Sequence, residues 1–395
     1  MNVASNKKLG CVIIMHPGQN NYGTSLQGFA TIYKLQQMGV DCEIIRYKKK
    51  RTISEIFDTL PGLIRSGAVG KLFYRLHKKW DLRIHRKYRE TRAIRTEAVN
   101  SFKKKYFDSI SRFYTGYRSL QEGSQNYSAV MVGSDQVWGP LSLYSRFYNL
   151  LFVDDSIPTF SYASSFGVST IFPWQRKGVS EFLSRLDKVG VREERGKQIV
   201  EELTERNATV VLDPTLLLTS EEWTQHVDET RCKVEEPYIL CYVLGDRKDI
   251  REDIKNIGKQ LKMKIVNLPH VDNYHKIDDG LGNIDMYDVD PFDFVRLIRD
   301  AQYVVTDSFH GTVFSLLMHK RFLTFYRQQP QSKQSTHSRI DSLLDSVGLK
   351  CRVASDNLCE QIKAEIDYAR VDDRLKEMRS DSLYFLRECI SLQKV

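Results

Sequence analysis

The stretch Tyr303–Phe325, YVVTDSFHGTVFSLLMHKRFLTF, decides the fold. Tyr303 to Val305 is a short apolar, β-branched run that Thr306, Asp307 and Ser308 bring to a stop. Gly311 and Thr312 then open a helix through Leu316 and Met318, and a second strand is expected over Phe322–Phe325. Strand, polar loop, apolar helix and strand form the repeating unit of an open parallel α/β sheet, which binds ligands at the carboxyl ends of its strands. His310 sits in that polar loop, at the edge where a site belongs.

The same pattern recurs on both sides. At the N-terminus, Cys11 to Met15 reads as a strand and His16 to Gly23 as a turn. Thr24 to Met38 has helical spacing, and Cys42 to Arg46 forms a second strand. Further strands are expected at Ala129–Val132, Thr159–Tyr162, Val189–Arg192 and Thr209–Leu212, with a helix at Glu194–Leu203. The polar stretch 219–236 serves as a linker between a first domain over 1–218 and a second over 237–372. The second domain should hold strands at Tyr238–Leu244 and Lys264–Leu268 and helices near Lys248–Leu261 and Pro291–Ala301. The last segment, 373–395, is expected to form a helix crossing back to the first domain. Two Rossmann-like α/β domains facing one another are the simplest architecture.

At 395 residues the chain exceeds a single ordinary core, and 41% hydrophobic with 28% charged content describes a globular protein. No segment approaches the roughly 20 apolar residues of a membrane span, and no signal peptide is apparent, so the expected location is cytoplasmic. Seven scattered cysteines without a Cys-x-x-Cys pair read as reduced thiols, and the pattern calls for no metal and no cofactor. The net charge of +9 is concentrated. Between Arg46 and Arg118 stand 21 Lys and Arg against 6 Asp and Glu, which leaves the remainder net acidic by 6. This basic segment, taken as an insertion over about 48–118, interrupts the α/β alternation. Leu72, Leu76, Trp80 and Ile84, with Phe73, suggest a helix whose other faces carry Lys71, Arg75, Lys78, Lys79, Arg83, Arg86 and Lys87. Such a helix either packs its apolar stripe on the core or docks on an anionic membrane surface. Nucleic acid is not expected, because charge alone is weak evidence without a binding motif.

Five pieces in order resemble the polysaccharide pyruvyl transferase family: Asn20-Asn21-Tyr22-Gly23, Gly133-Ser134-Asp135-Gln136-Val137-Trp138, Val191-Arg192-Glu193-Glu194, Asp213-Pro214 and Ser308-Phe309-His310-Gly311. The resemblance implies a GT-B-like pair of domains with the active site between them, the acceptor on the first and the donor on the second. It also implies transfer of a pyruvyl group from phosphoenolpyruvate to a sugar, usually as a cyclic ketal, in bacterial surface-polysaccharide synthesis. The sugar is expected to ride on a lipid pyrophosphate, which would place the enzyme on the inner face of the cytoplasmic membrane. The alternatives are a GT-B-type glycosyltransferase using a nucleotide sugar and a non-catalytic, membrane-associated subunit of an assembly complex.

Phosphoenolpyruvate carries a phosphate and a carboxylate on one small frame, so its pocket needs cationic forks and backbone donors close together. Arg192, at a strand end, suits either anion, although a surface ion pair would also explain it. Ketal formation protonates a methylene carbon and accepts protons from two hydroxyls, which requires an acid and a base. His310 suits one of these roles, because histidine exchanges protons near neutral pH. Ser308 and the amides near Gly311 and Thr312 are expected to hold an anion beside it, or simply to cap the helix. Asp135 is the candidate base or acceptor ligand, with an Asx turn as the plain alternative. Gln136, Trp138, Asn20, Asn21 and Gly23 are expected on the acceptor side. Trp138 equally suits a core anchor, and the asparagines a strand-to-helix turn. Asp213-Pro214 reads mainly as a structural stop.

Overall fold

The apolar runs become strands of two wholly parallel sheets in a computed structural model that describes residues 7–15, 18–50, 77–140, 146–328 and 338–392. The first sheet holds β1 (Lys8–Val12), β2 (Cys42–Lys48), β3 (Ser111–Thr115), β4 (Tyr127–Val132), β5 (Thr159–Ser164), β6 (Lys188–Val191) and β7 (Thr209–Val210), in the order β3-β2-β1-β4-β5-β6-β7. The second holds β8 (Tyr238–Tyr242), β9 (Lys264–Asn267), β10 (Ile284–Asp285), β11 (Tyr303–Thr306) and β12 (Arg321–Thr324), in the order β10-β9-β8-β11-β12. Both orders reverse beside their first strand, between β1 and β4 and between β8 and β11. Such switch points open a crevice at the carboxyl ends of the strands. Helices cover both faces, so the central strands are continuous apolar runs; all five residues of β8 are buried.

The basic segment differs from expectation. Part of it is integral: β3 pairs with β2 as the sheet edge, and the helix Arg86–Phe107 forms the crossover between them. Alternation therefore continues through residues read as an insertion. The helix was hidden because its buried face (Tyr88, Arg95, Val99, Phe102 and Phe107) includes an arginine and is thinly spread among Lys and Arg. β3 has one buried residue, Tyr114, which leaves almost no apolar signal. Of the proposed stripe, Leu72, Phe73 and Leu76 lie outside the described residues. Trp80 and Ile84, on the helical segment 77–84, are 60% and 50% exposed, so neither packs on the core.

The stretch 219–236, between the strands of the first sheet and those of the second, begins with the short helix Ser220–Thr224. Thr219 and Glu222 form a capping box, and Trp223 is wholly buried against Phe314 of the second domain. One apolar cluster runs through both domains, with Phe29 against Phe292 and Tyr22 stacked on Phe294 at 4.8 Å. Arg95 adds a crossing tie, donating to the carbonyls of Met286 and Tyr287 while its guanidinium covers Tyr22. Extensive apolar contact restrains hinge motion between domains. The helix Tyr368–Ser391 returns to the first domain, where the Ser382 hydroxyl accepts from the Leu212 amide and Lys188 pairs with Glu388.

Candidate active site

Asp213 lies where the two domains meet. It lies just beyond β7, is 1% exposed, and receives both the N–H and the hydroxyl of Thr215, a turn closure that also satisfies its structural role. Its Oδ2 accepts from the Ser134 hydroxyl at 2.8 Å and from Arg192 Nη1 at 2.9 Å. Its Oδ1 lies 3.7 Å from His310 Nε2. One carboxylate thus joins the first-domain arginine to the second-domain histidine. The reading of Asp213 as a structural stop holds, and the same carboxylate also meets Arg192 and lies beside His310.

Arg192 leaves the end of β6 into the interior, so its ion pairs are not surface pairs. Besides Asp213, Nη2 is 3.7 Å from Asp135 Oδ1 and Nε is 3.8 Å from Glu193 Oε2. The guanidinium lies 4.6 Å from the ring centre of Phe309, and Arg339 approaches the same ring at 5.9 Å. Asp135 follows β4 at φ 79°, a left-handed conformation that Asp tolerates better than most residues. Its Oδ1 accepts from the Gln136 amide, giving the turn, and its Oδ2 accepts from the Thr24 hydroxyl at 2.9 Å. His310 rests directly on the backbone of the opposite domain: a Cβ built on Gly23 would overlap its Cγ and Nδ1. Gly23 is therefore the residue that lets the histidine reach Asp213.

The electrostatics separate the carboxylates. Burial would raise Asp135, but Arg192, His310 and Arg339 together hold it below the ordinary carboxylate range. Asp213 is likewise desolvated, and His310 and Arg192 hold it well below that range. For Glu193 burial wins over Arg192, and the carboxyl is pushed up. Burial and the neighbouring Arg192 push Arg339 down to about 10. Buried donors without a hydrogen-bond partner among the described residues gather here: Arg192 Nε and Nη2, His310 Nε2, Arg327 Nε and Arg339 Nε. Native interiors seldom leave such groups unmatched, and the buried Glu193 Oε2 facing Arg192 Nε is unmatched as well, so the site has room for both anionic and hydroxyl-bearing groups of a ligand.

Several residues expected in the site are placed elsewhere. Trp138 is 2% exposed, packs on Phe166 and Phe182, and donates to the Tyr148 carbonyl, making it a core anchor rather than a sugar platform. Ser308 caps the helix Phe309–Leu317, accepting from the Gly311 amide with its side chain and from the Thr312 amide with its carbonyl. Those amides are therefore matched within the fold. The Thr312 hydroxyl bonds to Thr324, and Gly311 is needed because a Cβ would overlap Thr306. Of the two readings of Ser308, Gly311 and Thr312, helix capping is the one their hydrogen bonds show. Asn21 caps the helix Tyr22–Gln37, while Asn20 donates from its side chain to Asp272 of the second domain at 3.0 Å. Gln136 is exposed and its side chain lies over Gly167.

Glu193, Phe309, Arg339 and Thr24 complete the site without having been singled out. Glu193 and Phe309 were visible as neighbours of Arg192 and His310, but Arg339 follows a polar stretch that carries no pattern. Asp290 caps the helix Pro291–Asp300, and Asp288 lies 3.4 Å from Arg231. Among the described residues no three His, Cys, Asp or Glu side chains are arranged to hold a metal.

A family model described as polysaccharide pyruvyl transferase matches residues 21–329. No curated protein matches the chain by sequence. Solved structures with similar folds include a UDP-N-acetylglucosamine 2-epimerase from Rickettsia bellii, with TM-score 0.54 at 10% identity over 98% of this chain and 97% of that one. A putative UDP-N-acetylglucosamine 2-epimerase from Listeria monocytogenes has TM-score 0.53 at 10% identity over 94% and 90%. The UDP-GlcNAc 2-epimerase of Neisseria meningitidis, bound to UDP-GlcNAc, has TM-score 0.50 at 12% identity over 95% and 100%. At these identities the likeness shows the fold, a GT-B pair of domains, and not the chemistry.

Proposed function

The chain belongs to the polysaccharide pyruvyl transferase family, and from that premise we propose that it moves the pyruvyl group of phosphoenolpyruvate onto two hydroxyls of a saccharide as a ketal. The observation that carries this reading is the set of unmatched buried donors on Arg192, Arg339, Arg327 and His310. Phosphoenolpyruvate offers anionic oxygens at both ends, and arginine forks hold carboxylate and phosphate in a fixed orientation.

In the reaction the methylene carbon gains a proton and C2 becomes oxocarbenium-like. The C2–O bond to phosphate breaks, and two sugar oxygens form bonds to C2. Of the two hydroxyl protons released, one balances the new methyl group and the other leaves with phosphate. Asp135, held ionised by its cationic neighbours, orients an acceptor hydroxyl better than it abstracts a proton. Glu193 is pushed the other way and is the better proton carrier, since divergent environments sort carboxyls into acid and base roles. His310 and Arg192 stand where departing phosphate needs countercharge. Incubation with phosphoenolpyruvate and a panel of galactosides and N-acetylhexosaminides should release phosphate and yield a heavier, anionic saccharide. Turnover of a nucleotide sugar without phosphoenolpyruvate use would overturn the assignment in favour of a glycosyltransferase.

The acceptor is a sugar on a lipid pyrophosphate at the inner face of the cytoplasmic membrane, reached through the basic segment. No helix among the described residues is long and apolar enough to cross a membrane. Trp80 and Ile84, one helical turn apart and exposed, stand among exposed Lys79, Arg83, Arg86 and Lys87, which suits interfacial docking. Co-sedimentation with vesicles containing phosphatidylglycerol should exceed that with phosphatidylcholine alone. It should weaken at 0.5 M salt, to about the Debye-screened limit, and fall about tenfold in a Trp80→Ser, Ile84→Ser variant. Equal binding to neutral and anionic vesicles would count against docking.

A further inference from the structure

Away from the ion cluster, a cavity of about 250 Å³ opens between the start of the helix Arg86–Phe107 and the loop following β9. Its walls are aromatic and polar together. The Tyr274 ring stacks on His85 at 3.8 Å and meets Tyr88 at 5.6 Å, while His270 and His275 stack at 5.7 Å. Asp278 is held through Oδ1 by Arg251, yet its Oδ2 is buried and has no hydrogen-bond partner among the described residues. Burial, with His275 and Arg327 nearby, pushes His270 down to about 3, so its neutral ring can both donate to and accept from a hydroxyl.

A smaller cavity adjoins it, sharing the His270 and Val271 walls and reaching Asn20 and Asn21. That loop leads to Gly23, on which His310 rests. The volume lies just below the ~300 Å³ at which sites for drug-sized ligands begin, and suits one sugar ring. An apolar ring face beside one unmatched carboxylate oxygen and a neutral histidine complements a sugar, which presents C–H groups on one face and hydroxyl donors around its edge.

We propose that this cavity is an acceptor-saccharide subsite, seating one sugar unit on Tyr274 with a hydroxyl donated to Asp278, and extending the acceptor from the His310 cleft to the basic helix. The role given to the bound sugar rests on the transferase reading, but its binding can be measured without turnover. One wall, which includes His85 and Tyr88, comes from the segment read in the sequence as an insertion, so acceptor selection depends on it.

The test is saturation-transfer NMR on the full chain with methyl β-galactoside, methyl N-acetyl-β-glucosaminide and methyl N-acetyl-β-mannosaminide, alongside a phosphorus-31 titration with phosphoenolpyruvate. At least one glycoside should receive saturation at its ring protons. Its affinity should fall at least tenfold in Tyr274→Ala, be retained in Tyr274→Phe, and leave phosphoenolpyruvate binding unchanged in both. The subsite is refuted if no glycoside binds, or if one binds Tyr274→Ala as well as the parent protein. Failure of phosphoenolpyruvate to bind any form would instead sink the donor assignment and leave the saccharide result standing.

Discussion

Arg192→Ala should lower kcat/KM for pyruvyl transfer by about 10²–10³-fold, the usual consequence of removing a preorganised charge from an active site. It should also destabilise the fold by about 3–5 kcal/mol, because breaking a buried ion pair leaves its partners uncompensated. Three carboxylates face Arg192 from different loops: Asp213 after β7, Asp135 after β4, and its neighbour Glu193. The two effects can be separated. Arg192→Lys keeps a positive charge beside Asp213 and should recover much of the stability in urea denaturation. Lysine has no planar fork, so activity should stay low with a raised KM for phosphoenolpyruvate. Full activity in the lysine variant would show that only charge is needed.

Gly23→Ala should produce a second large effect from one added methyl group. In the first turn of a helix, alanine is ordinarily better than glycine by up to about 1 kcal/mol. Here the new Cβ would overlap the His310 ring, so the histidine must leave Asp213 or the domains must part. The expected result is a net loss of about 1–3 kcal/mol, typical of overpacking, with activity down about 10²–10⁴-fold as proton transfer is misplaced. Gly23→Ala combined with His310→Ala supplies the check. Removing the ring relieves the overlap, so the double variant should melt nearer the parent protein while remaining inactive. A fully active Gly23→Ala enzyme would mean that His310 does not work from its position against the first domain.

Much of this arrangement is legible in the chain because strand ends announce themselves. The strand Tyr303–Thr306 keeps its predicted start and runs one residue further, and the helices Glu194–Leu203 and Lys248–Leu261 keep the limits their apolar spacing predicts. Arg192 directly follows β6, Asp135 lies three residues past β4, and His310 sits in the first turn of the helix after β11, so the positions where side chains meet near a switch point are visible without coordinates. What stays hidden has physical causes. β3 is an exposed edge strand with little to bury, and the helix Arg86–Phe107 shows a thin apolar face on a basic background. Ser308 and Asn21 could be read as ligand contacts or as caps, and only hydrogen-bond partners separate the two. Asp213 looks like a turn residue because it is one; that its other oxygen meets Arg192 and Ser134 is a long-range fact. Arg339 reaches Phe309 from the helix Ser338–Ser346, whose spacing of Ile340, Leu343 and Leu344 marks a helix but not what its arginine meets across the fold.

A crystal structure of the protein soaked with phosphoenolpyruvate tests the shared donor pocket most directly. The carboxylate and phosphate should lie within hydrogen-bond reach of Arg192 Nε or Nη2, Arg339 Nε and His310 Nε2, the donors now unmatched, with Asp213 still joining Arg192 to His310. Phosphoenolpyruvate bound away from these groups, or a structure in which His310 and Arg192 belong to separate cavities, would contradict it.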